Sequence, residues 1–211
     1  MPHLPRRPRR ALLVGGATAL AVLVLAPSAG AGILVKTATG CGTPTYERPF
    51  LRWADIGTYV LAPDGNLEGA TTPWSLSGGA AVTSGNESYN VHGPGETHSL
   101  ALPSGSSATT AAMCVGVLHP TLRLFARNTG AFLSALRVDV LFEDAAGAVH
   151  SLPIGLLPAG SAWQPTLPVP IVANLLPLVP GNLTAVAFRF SPQGSGTWAI
   201  DDVYVDPHRS H

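Results

Sequence analysis

Residues 61–69 read LAPDGNLEG and residues 196–206 read GTWAIDDVYVD, and these two stretches decide the fold. The first is a short apolar strand followed by a Pro-Asp-Gly-Asn turn and the acid Glu68. The second is a strand that carries two adjacent carboxylates, Asp201 and Asp202, among apolar and aromatic residues. A chain that opens and closes on strands of this kind, with turn residues in between, favours an all-β fold.

Three segments between these ends alternate apolar and polar or small residues with a period of two: residues 121–127, 136–143 and 185–190. This period is typical of a strand with one buried face. Shorter strands are expected near residues 56–61, 74–77, 80–84, 98–102, 113–118, 149–153 and 198–205. Because Gly, Pro, Asn and Ser turns separate them, the pattern predicts an antiparallel β-sandwich. On the last strand, strict alternation places Trp198, Ile200, Asp202 and Tyr204 on one face.

Residues 153–180 contain seven prolines, which exclude a central strand over most of this stretch because each proline removes a backbone donor. One interpretation is a long apolar crossover that packs on the sandwich. The other is an exposed apolar contact surface for a protein partner, centred on residues 167–179.

The first 31 residues have the features of an export signal. A cluster of four arginines precedes an apolar run over residues 11–26, and Ala29-Gly30-Ala31 fits a signal-peptidase site. We expect cleavage after Ala31 and secretion, with an uncleaved anchor as the alternative. The remaining parts are an N-terminal arm (32–50), the sandwich (51–207) and a tail (208–211).

The charge of the mature chain argues against nucleic-acid and membrane partners. Four of the 12 basic residues precede residue 31 and none of the 12 acidic ones does, so removing the signal leaves a net charge of −4. Binding to nucleic acid or to an anionic membrane would require a basic patch, and the mature chain has no basic run.

The two cysteines, Cys41 and Cys114, are expected to form one disulfide in an exported protein. The bridge would contribute roughly 4 kcal/mol by restricting the unfolded chain and would fix the arm to the sandwich. The alternative is a lipidation box at residues 38–41, which lacks the usual aliphatic residue at position 38.

The sequence predicts no enzymatic activity. It contains no Gly-x-Ser-x-Gly elbow and no phosphate-binding Gly-x-x-x-x-Gly-Lys. The histidines are scattered, without the spacing of a metal-ligating helix.

The carboxylates of Glu68, Asp201 and Asp202 stand among apolar residues, so each must be paired, hydrogen-bonded or metal-bound if buried. Oxygen ligands of this type suit Ca²⁺. The alternative is an aspartate that accepts hydrogen bonds from backbone amides at a strand end.

The stretch from Leu61 to Asp206 resembles carbohydrate-binding modules with a galactose-binding-like jelly roll. Their first strand ends in Asn-Gly-x-Phe-Glu and their last carries Ile-Asp-Asp-Val; here Leu67 replaces the Phe. The resemblance implies a glycan partner and a structural Ca²⁺ that joins Glu68 to Asp201 or Asp202. The mature chain is also similar to a group of secreted actinobacterial proteins.

Sugar binding needs exposed aromatic side chains beside polar ones. Three tryptophans, Trp74, Trp163 and Trp198, stand where such modules place core residues. Four aromatic residues are candidates for exposure: Trp53, Tyr59, Tyr89 and Tyr46. We expect the ligand-binding residues to be Tyr89, Asn90, His92 and Trp53. The predicted function is a secreted, non-catalytic glycan-binding module; the alternatives are an extracellular interaction protein and, third, an enzyme.

Overall fold

The computed structural model describes residues 44–116, 121–129, 131, 133–143, 148–172 and 183–206. The signal segment, Cys41 and the tail lie outside these residues, so export and the disulfide stay predictions. A 3₁₀ turn spans Leu51–Trp53, and thirteen strands follow within the described residues: β1 Val60–Leu61, β2 Ser75–Ser77, β3 Ala81–Ser84, β4 His98–Leu102, β5 Ser107–Thr109, β6 Met113–Gly116, β7 Thr121–Asn128, β8 Ala135–Glu143, β9 Val149–Leu157, β10 Gln164–Pro165, β11 Val169–Pro170, β12 Leu183–Gln193 and β13 Trp198–Asp206.

The strands form two antiparallel sheets, as the sequence predicts for a sandwich. One sheet has the order β10-β7-β13-β4-β3, with β1 paired to β13 and β11 paired to β7. The other has the order β2-β5-β12-β8-β9, with β6 paired to β12. We call them the seven-stranded and six-stranded sheets. Within the described part of the chain, no helix is long and apolar enough to span a membrane.

The main core lies between the sheets and is built from the alternating segments. On β7, Leu122 and Leu124 are fully buried in it, and Phe188 of β12 joins them from the six-stranded sheet. The predicted alternation over residues 121–127, 136–143 and 185–190 is confirmed. Two of the predicted core tryptophans, Trp74 and Trp198, lie in this core.

A β-bulge near the end of the chain changes the expected facing of the last strand. The register between β13 and β7 shifts between Asp201 and Tyr204, and Asp202 has a left-handed φ of 49°. Because one extra residue reverses every side chain beyond it, Trp198 and Val203 both lie in the main core while Tyr204 lies outside it. The prediction that Trp198 and Tyr204 share a face is therefore wrong.

A second, aromatic cluster covers the outer face of the seven-stranded sheet. Its buried members are Phe50, Tyr59, Phe125, Trp163, Ala199 and Tyr204. Phe50 comes from the predicted arm, and Glu47 of the arm forms an antiparallel bridge with Tyr59. The described end of the arm, residues 44–50, therefore packs directly on the sandwich.

In its described part, residues 153–172, the proline-rich stretch supplies only edge strands, which is where proline is tolerated. Pro153 lies on β9 at the edge of the six-stranded sheet, opposite a register shift between Val138 and Asp139. The short strands β10 and β11 pair with the free side of β7. Of the apolar stretch 167–179, Leu167 is 81% exposed and Val169 and Ile171 are buried. Residues 173–179 lie outside the described residues.

Candidate functional site

The loop between β3 and β4 carries three of the four residues predicted to bind a ligand, and a buried acid shapes it. Glu87 is 1% exposed, and its carboxylate accepts hydrogen bonds from the backbone N–H groups of Tyr89 and Val91. The backbone N–H of Glu87 in turn donates to Oδ2 of Asp201 at 2.9 Å. The loop is thus fixed both within itself and to the last strand. Residues 86–92 are called the binding loop below.

Trp53 and Tyr89 come together at one edge of the aromatic cluster although 36 positions separate them in the chain. Their ring centroids are 4.8 Å apart and the rings are nearly perpendicular, at 89°. Both rings rest on Phe125, with centroids 5.4 and 5.7 Å from its ring. The Tyr89 hydroxyl donates to the backbone carbonyl of Trp163 at 3.1 Å. Contacts with Phe125 and the Trp163 carbonyl therefore position these side chains on the sheet side, and both remain half-buried.

Arg52 completes this edge. Its guanidinium carbon lies 5.3 Å from the Tyr89 ring centroid and 5.8 Å from that of Trp53, within the range of cation–π attraction. Asn90, the exposed neighbour of Tyr89, has a left-handed φ of 50°, which asparagine tolerates. We call Arg52, Trp53, Tyr89 and Asn90 the rim. It offers aromatic surface beside guanidinium and amide hydrogen-bonding groups.

His92, the fourth predicted ligand residue, contacts the arm and the last strand. Its Nδ1 lies 3.2 Å from Oε2 of Glu47 and 3.2 Å from the Tyr204 hydroxyl. That hydroxyl donates to the same Glu47 oxygen at 2.7 Å. His92 thus connects the binding loop to two other parts of the chain.

Tyr59, predicted as a candidate for exposure, is 2% exposed. Its hydroxyl donates to Oδ2 of Asp55 at 2.7 Å. Burial and this hydrogen bond raise the pKa of Tyr59 to about 12. The prediction was wrong because the arm covers this face of the sheet, which a local pattern does not reveal.

Asp201 and Asp202 are fully buried next to each other, but their surroundings differ. Asp201 accepts hydrogen bonds from the backbone N–H groups of Glu87 and Asp202, each at 2.9 Å. Neither carboxylate oxygen of Asp202 finds a hydrogen-bond partner within the described residues. Burial raises the pKa of Asp201 to about 8, and burial together with the charge of Asp201 raises the pKa of Asp202 to about 9.

The three residues proposed to bind a metal do not converge. Both oxygens of Glu68 are engaged at the start of β4: Oε1 accepts the backbone N–H groups of Thr97 and His98 at 2.6 Å, and Oε2 lies 2.9 Å from Nδ1 of His98. No group of three or more His, Cys, Asp or Glu side chains in the described ranges is arranged to hold a metal ion. The unpartnered oxygens of Asp202 fit a cation or a proton, and Oε2 of Glu96 is likewise buried without a partner in this part of the chain.

Sequence reasoning missed Arg52 and Glu87. For Glu87 a signal existed, since an acid two residues before Tyr89 in a glycine-rich loop can accept the amides that follow it. Nothing in the local sequence marks Arg52, because its role depends on a long-range contact.

Comparisons with known proteins concern the fold. No known protein-family profile matches the chain, and no curated protein sequence does. One similar structure contains a family-22 carbohydrate-binding module and the GH10 module of the Clostridium thermocellum xylanase 10B, solved with xylohexaose. It is 12% identical to this chain, with a TM-score of 0.46 over 72% of this chain and 27% of that one. The xylan-binding domain of Xyn10C from Paenibacillus barcinonensis is 11% identical, with a TM-score of 0.45 over 74% of this chain and 97% of that one. A family-61 carbohydrate-binding module solved with β-1,4-galactotriose is 15% identical, with a TM-score of 0.39 over 69% and 96% of the two chains. The chain is similar to these modules in backbone arrangement, at low sequence identity.

Proposed function

We propose that this chain is a secreted, non-catalytic module that binds a glycan at the rim. The observation that carries the proposal is the contact between Trp53 and Tyr89. Two half-buried aromatic rings from distant segments meet at 4.8 Å beside an exposed arginine and an exposed asparagine. Aromatic rings stack on the apolar faces of sugars, and neighbouring polar groups hydrogen-bond the hydroxyls.

The rim suits a binding site because its supports are rigid. Glu87 fixes the backbone of Tyr89, and Phe125 packs beneath both rings. A site whose side chains are positioned before the ligand arrives avoids part of the ordering cost of binding. The outer face of the seven-stranded sheet is covered by the aromatic cluster, so contact with sugar would take place at this edge.

The non-catalytic part of the proposal rests on the placement of the acids. The two carboxyl groups with the most strongly raised pKa values, Asp201 and Asp202, are 0% exposed and lie under the binding loop. An acid or base that acts on a substrate must come within hydrogen-bond reach of it. Asp201 supports the loop through the backbone N–H of Glu87, and both buried carboxyl groups are out of reach of a polysaccharide at the rim.

A structural Ca²⁺ stays part of the proposal in a changed form. The residue that would hold it is Asp202, with Glu96 as a second oxygen donor, because each has a buried oxygen without a partner in the described part of the chain. Bound there, a cation would offset the repulsion among the buried acids and stabilise the fold. Raising Ca²⁺ should increase the melting temperature of the wild type and leave that of Asp202→Asn unchanged; equal responses, or none in either protein, would remove the cation from the proposal.

The alternative function, a protein-interaction surface, is favoured by two exposed apolar side chains. Ile56 and Leu167 are 77% and 81% exposed. Their neighbours Asp55 and Thr166 are both bonded to Arg123, through its Nη1 and Nε atoms respectively, so the two side chains flank one arginine. A second protein that covers Ile56 and Leu167 would remove both from water.

The test is a glycan array probed with the mature protein, followed by titration of each ligand found. Tyr89→Ala and Trp53→Ala should each weaken binding more than tenfold, since aromatic anchors carry much of the binding energy in such sites. Leu167→Ala is the matched control: it removes an exposed apolar side chain of the competing surface and should leave sugar affinity unchanged. Loss of sugar binding in Leu167→Ala with retention in Tyr89→Ala would refute the rim as the binding site, and an array without any ligand would refute the proposed function.

A further inference from the structure

The outer face of the six-stranded sheet carries two arginines gathered around one buried acid. Asp139 of β8 is 1% exposed. Arg137, two residues earlier on the same strand, donates to Oδ1 of Asp139 through Nε at 2.9 Å and lies 2.8 Å away through Nη2. Arg189 of β12, directly opposite Asp139 in the register, reaches Oδ2 from Nε at 3.3 Å and from Nη2 at 3.1 Å.

The cluster of Arg137, Arg189 and Asp139 carries more positive charge than is required to neutralise its one carboxylate. One arginine would neutralise the carboxylate, whereas two give the cluster a local charge of +1. The other charged residue placed outward on β8 is Glu143, four residues beyond Asp139 and therefore about 13 Å away along the strand. Both guanidiniums still face solvent, since the side chains of Arg137 and Arg189 are 39% and 35% exposed.

The two arginines are also fixed in orientation. Each engages Asp139 through its Nε and Nη2 edge, and Nη2 of Arg189 also donates to the hydroxyl of Ser151 on β9 at 2.9 Å. An anchored guanidinium loses little conformational entropy on binding, and its planar geometry matches that of a carboxylate. For a ligand that carries carboxylates, the guanidinium N–H groups of Arg137 and Arg189 would already be oriented as hydrogen-bond donors.

The rest of this face lacks aromatic rings and mixes polar with aliphatic positions: Leu156, directly opposite Arg137, is 64% exposed, and Val149, opposite Glu143, is 41% exposed. The strand register places five residues in one row across five strands: Ser75, Thr109, Arg189, Asp139 and Pro153. At the usual strand spacing the row is about 19 Å long. No Phe, Tyr or Trp of the described strands takes an outward position on this face, so recognition here would depend on charge and hydrogen bonds.

We propose that this face binds an acidic glycan, a polysaccharide whose uronic-acid carboxylates pair with Arg137 and Arg189. The observation is the pair of anchored, solvent-facing guanidiniums around a single buried acid on a hydroxyl-bearing sheet face. The choice of a glycan over an acidic protein rests on the proposed function of the domain. The site is separate from the rim, which lies at the edge of the opposite sheet.

The test compares one polymer in two forms: polygalacturonate and the same polymer with its carboxyl groups methyl-esterified. The wild type should bind the acidic form at least tenfold more tightly, and added salt should weaken that binding because the contacts are solvent-exposed. Arg137→Gln and Arg189→Gln should each lose about tenfold in affinity for the acidic form, as expected for one charge-assisted hydrogen bond. Arg48→Gln, which removes an exposed arginine of the arm, should bind like the wild type.

The outcomes separate this inference from the proposed function. Array ligands that bind at the rim, together with equal affinity for the two polymer forms, would overturn the acidic-glycan site and leave the proposed function in place. Polyglutamate is the second comparison. If it binds as tightly as polygalacturonate, with the same dependence on Arg189, the surface recognises negative charge without regard to the sugar, and the glycan assignment is overturned. The comparison of polymer forms needs only the wild type, so it decides the matter even if an arginine variant fails to fold.

Discussion

Replacing Asp202 by asparagine should make the stability of this protein less dependent on pH. In the folded state Asp202 is buried beside Asp201, and its pKa is raised from 3.8 to about 9. A carboxyl group whose pKa is higher in the folded state costs nothing below the unfolded value of 3.8. The cost grows as the pH rises from there and is complete above about 9. The wild type should therefore lose stability between pH 5 and pH 8.

The size of the effect follows from proton uptake on folding. Across this window the folded Asp202 keeps a proton that the unfolded chain has released, which corresponds to about 1.4 kcal/mol per pH unit. Over three pH units this amounts to at most about 4 kcal/mol. Asparagine has no proton to take up, so Asp202→Asn should lack this part of the slope. Urea unfolding at pH 5, 6, 7 and 8 measures it, in chelator so that no divalent cation replaces the proton.

Asp55→Asn provides the control. Burial opposes its ionisation, but hydrogen bonds from Tyr59 and Gly57 and the charge of Arg123 lower the pKa of Asp55 below 3.8. Asp55 is therefore ionised in both states from pH 5 to 8, and its removal should lower stability by the same amount at every pH. If the wild type and Asp202→Asn show the same slope in chelator, Asp202 is solvated or paired and the account of the buried acids is refuted.

Three more predictions concern the binding loop, the cysteines and export. Glu87→Ala should speed hydrogen exchange at the amides of Tyr89 and Val91 and cost about 1–3 kcal/mol, because two part-buried N–H groups lose their acceptor; unchanged exchange would contradict the assigned role. The mature protein should have an intact mass two protons below that of its reduced form, and two alkylatable thiols in the native protein would rule out a bridge between Cys41 and Cys114. The N-terminal sequence of the secreted protein should begin at residue 32, and a product that keeps residues 1–31 would indicate an anchor.

The strands that carry the main core could be predicted from the sequence because every second side chain along them is apolar and faces that core. Leu122, Leu124 and Phe188 follow a period of two, and the structure places them between the sheets. The prolines likewise predicted that most of residues 153–180 form no central strand, and the described part, residues 153–172, contributes only edge strands. In each case a local constraint, apolar burial or a missing donor, decides the outcome.

The bulge on the last strand could not be predicted in this way. Strict alternation requires that every residue continues the pleat, and the left-handed conformation of Asp202 breaks this condition. As a result Tyr204 contacts Glu47 and His92 on the outer face, away from the side of Trp198.

For the candidate site, the residue types were predictable and their arrangement was not. Trp53 and Tyr89 stand out as aromatic residues without an assigned place in the core, yet their contact depends on how the arm crosses the sheet. The same holds for Asp139 and Arg189, which lie 50 positions apart and become neighbours through the pairing of β8 and β12. These contacts depend on which residues of distant strands pair with each other, and a single sequence does not predict that pairing.

The most direct test of the glycan-binding proposal is an NMR titration of the mature protein with the oligosaccharide selected on the array. The four tryptophan indole signals report on different places: Trp53 on the rim, and Trp74, Trp163 and Trp198 on buried positions. We expect the indole signal of Trp53 and the amide signals of Tyr89 and Asn90 to shift progressively with ligand, while the buried indole signals stay in place. Saturable binding that leaves the signals of Trp53 and Tyr89 unmoved would contradict the assignment of the rim as the binding site.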